Sequence, residues 1–274
     1  MSERPASHAD WAAIDATDDP EFFVRFLDSS RVAAIQAAKR DPAAFFSYLD
    51  LKPGSSILEV GCGLGDMARA LAPLVGAAGR VVGVDNSETM IRLAQQRTSQ
   101  DDGPITFRRG DIMALDFPDG EFDRARVEQV LQHVAEPGRA VAELARVTRP
   151  GGRVVALEPD WDTLVIDAED LAASQAFSAF NSTCVVRHGR IGRQLSTLFR
   201  EAGLADVSIV PQGILAGYEA TREFVTSNMA RAVAAGAIDE GAAHAWLDDL
   251  QVRAEDGRYV AAFLMFRVSG VVRA

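Results

Sequence analysis

The chain is predicted to be an α/β protein built on one open, mostly parallel sheet, and three observations predict it. Short β-rich apolar runs alternate with helical patterns from Ser56 onward, as expected of strand–helix–strand units. Turn-forming groups punctuate the alternation at Pro53-Gly54, Asp102-Gly103-Pro104, Asp119-Gly120 and Pro150-Gly151-Gly152. The first run passes directly into glycines at alternate positions, Gly61, Gly63 and Gly65, a bend bare of side chains that lets backbone approach a ligand closely.

In order, the expected strands are Ile57–Val60, Val81–Asp85, Ile105–Arg108, Asp123–Val127 and Arg153–Glu158, then Val207–Val210 and Tyr259–Val268. Helices are expected at Met67–Leu74, Glu88–Thr98, Pro137–Val147 and Ile191–Glu201, where apolar residues recur at spacings of three and four. Three segments fall outside the alternation. Residues 1–50 are expected to form an N-terminal helical cap, with Asp19 an N-cap and Pro20 the first helical residue. Residues 51–274 form the main domain, with helical insertions at about 161–189 and 215–250. Additions that follow strand ends in such sheets gather over the ligand crevice, so these are expected to form a lid.

Composition narrows the function classes. A chain of 274 residues with 48% hydrophobic and 24% charged residues has enough apolar material for a buried core and is read as soluble. No apolar run is long enough to span a bilayer, and Met1–Asp10 is too polar for a signal peptide, so a cytoplasmic location is expected. The net charge of −11 opposes unaided binding to polyanions, which makes nucleic acid a poor partner despite the cluster Arg187, His188, Arg190 and Arg193. Cys62 and Cys184 belong to no metal-ligand or redox spacing, and no metal is expected.

The local signal that carries most weight is Ile57-Leu58-Glu59-Val60-Gly61-Cys62-Gly63-Leu64-Gly65-Asp66. A dinucleotide fingerprint would need glycine at the sixth position of the bend. Asp66 stands there instead, and a carboxylate facing a pyrophosphate argues against a nicotinamide or flavin cofactor. The stretch from Glu59 to Gly65 is very similar to the first motif of the class I S-adenosylmethionine-dependent methyltransferases. The resemblance continues through Asp85-Asn86-Ser87-Glu88-Thr89-Met90, Gly110-Asp111-Ile112, Phe117-Pro118-Asp119-Gly120-Glu121-Phe122-Asp123 and Arg149-Pro150-Gly151-Gly152. It covers roughly residues 45 to 160 and lies nearest the methyltransferases of quinone biosynthesis and natural-product tailoring.

That resemblance implies a Rossmann-like seven-stranded sheet in the order 3-2-1-4-5-7-6, with the last-named pair antiparallel in part. It implies S-adenosyl-L-methionine as cofactor, S-adenosyl-L-homocysteine as product, and a small apolar or aromatic methyl acceptor. Glu59 would hold the methionine ammonium, or else act as a structural carboxylate. Asp85 would accept the ribose hydroxyls, since a carboxylate offers paired acceptors to a diol, with Asn86 beside it. Gly110, Asp111 and Ile112 would meet the adenine, with Met90 packed near it. Gly61, Cys62, Gly63 and Gly65 form the bend itself, where Cys62 supplies only a small side chain.

Around the loop nearest the transferring methyl, Arg126 and Val127 are expected to meet the cofactor, Glu128 is a catalytic candidate and Gln129 is a candidate for the acceptor wall. His133, expected on a helix after the fourth strand, is the first candidate general base; a structural histidine is the competing reading. Glu158 is a further catalytic candidate. Asp160, Trp161 and His188 are candidates for the acceptor wall, with Trp161 stacking on a flat molecule or simply packing at the rim. Phe22, Phe23 and Phe26 form an aromatic stripe that suits core packing first and a lid lining second. The rival functions are a cofactor-binding protein without turnover, a nucleic-acid or tRNA methyltransferase, and a nicotinamide oxidoreductase. Arg126-Val127-Glu128-Gln129 bears no likeness to the Asn/Asp-Pro-Pro-Tyr of adenine-amino methylation. The protein is expected to be a monomer or homodimer.

Overall fold

In the computed structural model, which describes residues 11–273, the sheet has seven strands in the order β3-β2-β1-β4-β5-β7-β6. The strands are β1 Ser56–Val60, β2 Arg80–Asp85, β3 Ile105–Arg109, β4 Phe122–Glu128, β5 Thr148–Ile166, β6 Ala205–Ala216 and β7 Ala261–Val271. The first five pair in parallel, while β7 runs antiparallel to both β5 and β6. The expected order therefore holds, with the antiparallel part confined to the insertion of β7 between β5 and β6. The polar opening Met1–Asp10 lies outside the described residues.

The helices are α1 Pro20–Ser30, α2 Val32–Arg40, α3 Pro42–Phe45, α4 Asp66–Val75, α5 Glu88–Gln96, α6 Pro137–Val147, α7 Leu171–Phe180, α8 Ile191–Glu201, α9 Tyr218–Ala234 and α10 Glu240–Glu255. Asp19 caps α1 by accepting from the Phe22 amide, with Pro20 at the first helical position. Among the described residues, no helix is long and apolar enough to cross a membrane.

Strands buried on both faces need apolar residues at successive positions. In β1, Leu58 and Val60 enter a core with Val84, Val127, Leu144 and Ala156, while Ile57 faces a second core with Leu71, Val81 and Val155. A third cluster, centred on Trp246 and Phe177, joins α7, α9 and α10 to the far ends of β5 and β7. The Trp246 indole donates to Ser174 Oγ at 2.8 Å, so its buried N–H is satisfied.

Three boundaries differ from the sequence reading. β5 continues to Ile166, past the expected end at Glu158, because its outer half pairs with β7 through Val165↔Ala262 and Ile166↔Ala261. β6 runs over twelve residues where Val207–Val210 was expected, again because β7 offers it a long partner. The segment after β4 is a turn and carries no helix before α6.

Candidate active site

The site is built where β1, β2 and β4 end side by side. Gly61, Gly63 and Gly65 all take left-handed backbone, at φ 71°, 51° and 78°, which only glycine adopts freely. Val84 accepts from both the Gly61 and Cys62 amides, at 2.7 and 3.0 Å, tying the bend to β2. A β-carbon at Gly61 would lie 2.1 Å from Val130 Cγ2, and one at Gly63 would lie 3.3 Å from Leu27 Cδ1 of α1. The bend thus lies between the post-β4 turn and the cap, with no room for side chains. Cys62 is buried beneath it, and burial pushes its thiol well above the usual range.

Asp85 ends β2 and splits its carboxylate between two backbone amides: Oδ2 accepts from Gly63 at 2.9 Å and Oδ1 from Ser87 at 3.0 Å. Each oxygen keeps a lone pair, so two hydroxyls can still be accepted. Burial raises its pKa, and the two amides oppose that rise. At the neighbouring strand end, Gly110 donates to the Asp85 carbonyl at 2.9 Å, Asp111 Oδ1 accepts from the Met113 amide at 2.8 Å, and Ile112 is buried. Asp111 and Asn86 are exposed.

Beside the bend lies a buried ladder of alternating charge. Glu59 on β1 and Arg126 on β4 are register partners and form an ion pair. Arg126 also pairs with Glu128 and donates to the Tyr48 hydroxyl at 3.1 Å, and Arg31 reaches Glu128 from the cap at 2.8 Å. Burial opposes the charge on Glu128, but Arg31 and Arg126 hold its pKa down at about 2. Burial instead dominates at Glu59, whose pKa is pushed up to about 7. Its Oε2 is buried and has no partner. A buried carboxylate oxygen without a donor is costly, and an ammonium group would relieve it.

Glu128 therefore stands on the strand with Arg126, one residue past the expected strand end at Val127, where the sequence reading placed a loop. The alternation of β4 explains it: Ala125 and Val127 enter one core while Arg126 and Glu128 point to the other face. Arg126 is 0% exposed and Val127 likewise, so neither faces open space.

The turn that follows is heavily anchored. Gln129 adopts φ 57°, a strained value for a side-chain-bearing residue, and donates from its amide to the Leu157 carbonyl at 2.9 Å. Glu158, proposed from sequence as catalytic, is fully buried; its Oε1 accepts from the Val130 and Leu131 amides at 2.8 and 2.7 Å. It is a strut under the turn, and burial lifts its pKa to about 8. His188 is a clamp on the same turn, its amide donating to the Gln132 carbonyl and its Nε2 lying 3.0 Å from the Val134 carbonyl. Asp160 is drawn away from the crevice altogether. It is fully buried and paired with Arg193 of α8, because even-numbered β5 residues face that helix.

His133 lies on the turn and not on a helix, half-buried with its ring stacked against Trp11 at 6.0 Å. Burial lowers its pKa to about 3, with His188 adding to the effect, so the ring is neutral. Trp161 is on β5, its indole N–H donating to Gln132 Oε1 at 2.7 Å and its faces packed on Phe224 and Phe263.

The cap closes the cofactor side. Trp11 packs edge-on to Phe23 and Phe26, and Phe23 is buried with Ile14, Leu64 and Met90. Phe22 and Phe26 are part-exposed on the same helix. The stripe is thus divided, with Phe23 serving packing and its neighbours bordering the crevice. Asp15 caps α5 from outside, accepting from Ser87 Oγ and from the Glu88 and Thr89 amides, and Asn86 donates to the Ala12 carbonyl.

The structure brings together Glu59, the glycine bend, Asp85, Met90, Gln129, His133, Phe22 and Phe26, and it separates Asp160 from them. Sequence reasoning missed Trp11, Asp15, Arg31, Tyr48, Val130 and Gln132. Asp15 and Arg31 meet their partners across 72 and 97 positions, so no local pattern marks them. A surface cleft of about 630 Å³ between α9 and α10 shares no lining residue with this site.

A family model described as a methyltransferase domain matches residues 58–156. An "uncharacterized 37.1 kDa protein in transposon TN4556" of Streptomyces fradiae is 40% identical over 248 residues, covering 89% of this chain and 70% of that protein. A demethylmenaquinone methyltransferase of Lactiplantibacillus plantarum is 32% identical over 179 residues, covering 59% of this chain and 75% of that enzyme. Among solved structures, the Haemonchus contortus phosphoethanolamine N-methyltransferase 2 in complex with S-adenosyl-L-methionine shares the fold at a TM-score of 0.56 and 18% identity, covering 92% of this chain and 60% of that one.

Proposed function

The chain belongs to the class I S-adenosylmethionine-dependent methyltransferases, and from that premise we propose that it methylates a small, flat, apolar or aromatic molecule held between the cap and the turn after β4. The observation that carries the cofactor reading is the unpartnered Oε2 of Glu59, buried beside a glycine bend that excludes side chains. That atom suits the methionine ammonium, and the free lone pairs of Asp85 suit the ribose diol. Asp111 and the Gly110 and Ile112 backbone border the adenine side, with Met90 under the cap.

When bound, S-adenosylmethionine supplies an electrophilic methyl group on a sulfonium. The chain's own residues then have to align and exclude water, since an in-line displacement at carbon depends mainly on orientation. Gln129 and Val130 set the floor of the crevice, because Glu158 and His188 hold their turn rigid. The cap, anchored by Asp15 and Arg31, keeps solvent from the reacting atoms. The neutral ring of His133 can accept a hydrogen bond from a hydroxyl of the acceptor and so orient it toward the methyl; at a pKa of about 3 it is a weak base.

Aromatic surface at Trp11, Phe22 and Phe26 supports a flat acceptor, whereas Trp161 has both faces covered by Phe224 and Phe263. The similarity to the demethylmenaquinone methyltransferase of Lactiplantibacillus plantarum supports a flat acceptor too. The test is incubation of the pure protein and cofactor with a panel of naphthoquinols, phenols and small polar amines, following S-adenosylhomocysteine by mass spectrometry. Turnover of the aromatic set is expected. Transfer confined to the polar amines would overturn the acceptor class.

A further inference from the structure

We propose that the acceptor crevice ends in a carboxylate-recognition site formed by Arg231, Asn228 and Asn181, so that the methyl acceptor is a flat aromatic acid with a hydrogen-bond donor beside its carboxylate. The inference rests on the methyl-transfer reading and names the substrate class within it.

A continuous wall leads from the glycine bend to this place. Val130 touches the bend, Gln132 two residues later binds the Trp161 indole, and Trp161 stacks on Phe224 of α9 at 5.4 Å. Arg231 follows Phe224 by seven residues, which returns it to the same side of the helix roughly 10 Å further on. α9 also packs against the cap helix α1.

The arginines along the wall differ in how they are matched. Arg31 and Arg126 are paired with Glu128, and Arg190 and Arg193 with Asp162 and Asp160. Arg231 is half-buried, forms no ion pair with any described carboxylate, and keeps one hydrogen bond, to Asn228 Oδ1 at 3.1 Å. Asn228 is itself 5% exposed, so the guanidinium is oriented by a buried amide. Burial lowers the pKa of Arg231, and the nearby Cys184 offsets only part of that. A half-buried cation held in place without a counter-charge gains most from an anionic ligand.

Cys184 shares a π-helical turn, Asn181–Val185, with Asn181. Such turns are frequent at functional sites. Asn181 is 1% exposed; its amide donates to the Phe177 carbonyl at 2.8 Å while Oδ1 has no partner. The junction therefore offers one cation and one orphan acceptor. A carboxylate flanked by a hydroxyl satisfies both.

The test is titration calorimetry on protein loaded with S-adenosylhomocysteine, comparing 3-hydroxy-2-naphthoate with its neutral carboxamide. The acid is expected to bind at least tenfold more tightly. Arg231→Met, and independently Asn228→Asp, which sets a carboxylate against the guanidinium, should erase that preference by weakening the acid far more than the carboxamide. Equal affinity of acid and carboxamide, or a preference that survives in both variants, overturns the proposal. Absence of any heat for S-adenosylhomocysteine itself would instead bring down the methyl-transfer reading.

Discussion

Arg31 of the cap donates to Glu128 at the end of β4 at 2.8 Å, joining two parts of the chain that are 97 positions apart. The contact is part-buried on both sides, and Glu128 is also bound to Arg126. Through Arg126 the ladder reaches Glu59, so the cap and the cofactor side share one set of charges.

Replacing Arg31 by Met should therefore loosen the cap more than the sheet. The expected loss is about 1–3 kcal/mol, the range for leaving a buried polar partner unmatched. Thermal melting should fall by several degrees, and limited proteolysis should cut first before residue 50. A cap as resistant as in the parent protein would refute the latch.

The proposed ammonium role of Glu59 ties cofactor affinity to pH. Its pKa in the folded chain, about 7, lies above the ordinary carboxylate value of 4.5 because it is buried. The folded chain therefore holds this proton until the pH passes about 7, and the charge needed by an ammonium is present only above it. S-adenosylhomocysteine binding should weaken as pH is lowered from 8 to 6, and Glu59→Gln should flatten that dependence at the weak level. Calorimetry across that range decides it.

Glu158 supplies a second pH effect, on stability. Its folded pKa of about 8 exceeds the ordinary 4.5, so the folded form binds the extra proton between those values and stability declines as pH rises through that window. Glu158→Gln keeps an oxygen for the Val130 and Leu131 amides and should reduce the slope. Glu158→Ala removes the strut and should lower the melting point at every pH. Denaturant titrations at pH 5, 7 and 9 would show both.

Asp85 separates binding from folding. Asp85→Ala strips the Gly63 and Ser87 amides of their acceptor as well as the proposed ribose contact. Asp85→Asn keeps one acceptor oxygen and the shape. Both should weaken cofactor binding at least tenfold, with the larger melting-point loss in the alanine variant. Unchanged affinity in Asp85→Asn would remove the ribose role.

His133→Phe preserves the ring stack with Trp11 but deletes the neutral nitrogens. Cofactor affinity should stay within twofold, while turnover of a hydroxyl-bearing acceptor should drop by about tenfold, the loss of one orienting hydrogen bond. Because burial holds the His133 pKa at about 3, the parent's rate should show no step from this ring between pH 5 and 8. A lost cofactor site in the variant would make His133 structural.

Residues whose role depends on neighbours in sequence were read with most success. Asp19 caps α1 as expected, and the bend after β1 has the left-handed backbone that its glycines require. Glu128 was left off β4 for a physical reason: a charged residue in a buried strand breaks the apolar pattern, and its partner Arg31 lies on another element. His133 was assigned to a helix because motif order was carried across a turn held by Glu158 and His188. Neither strut is visible in the turn's own residues.

By itself, the amino-acid sequence determined the alternation of strand and helix, the bare bend after the first strand and the acid that ends the second. These follow from backbone sterics and short-range patterning, which act over a few residues. Only the tertiary structure decided that Glu59 keeps an unpartnered oxygen, that Arg31 and Asp15 fasten the cap, and that Glu158 and Asp160 are turned away from the crevice. Those outcomes depend on which charges meet across the fold, and charges meet only after the sheet has closed.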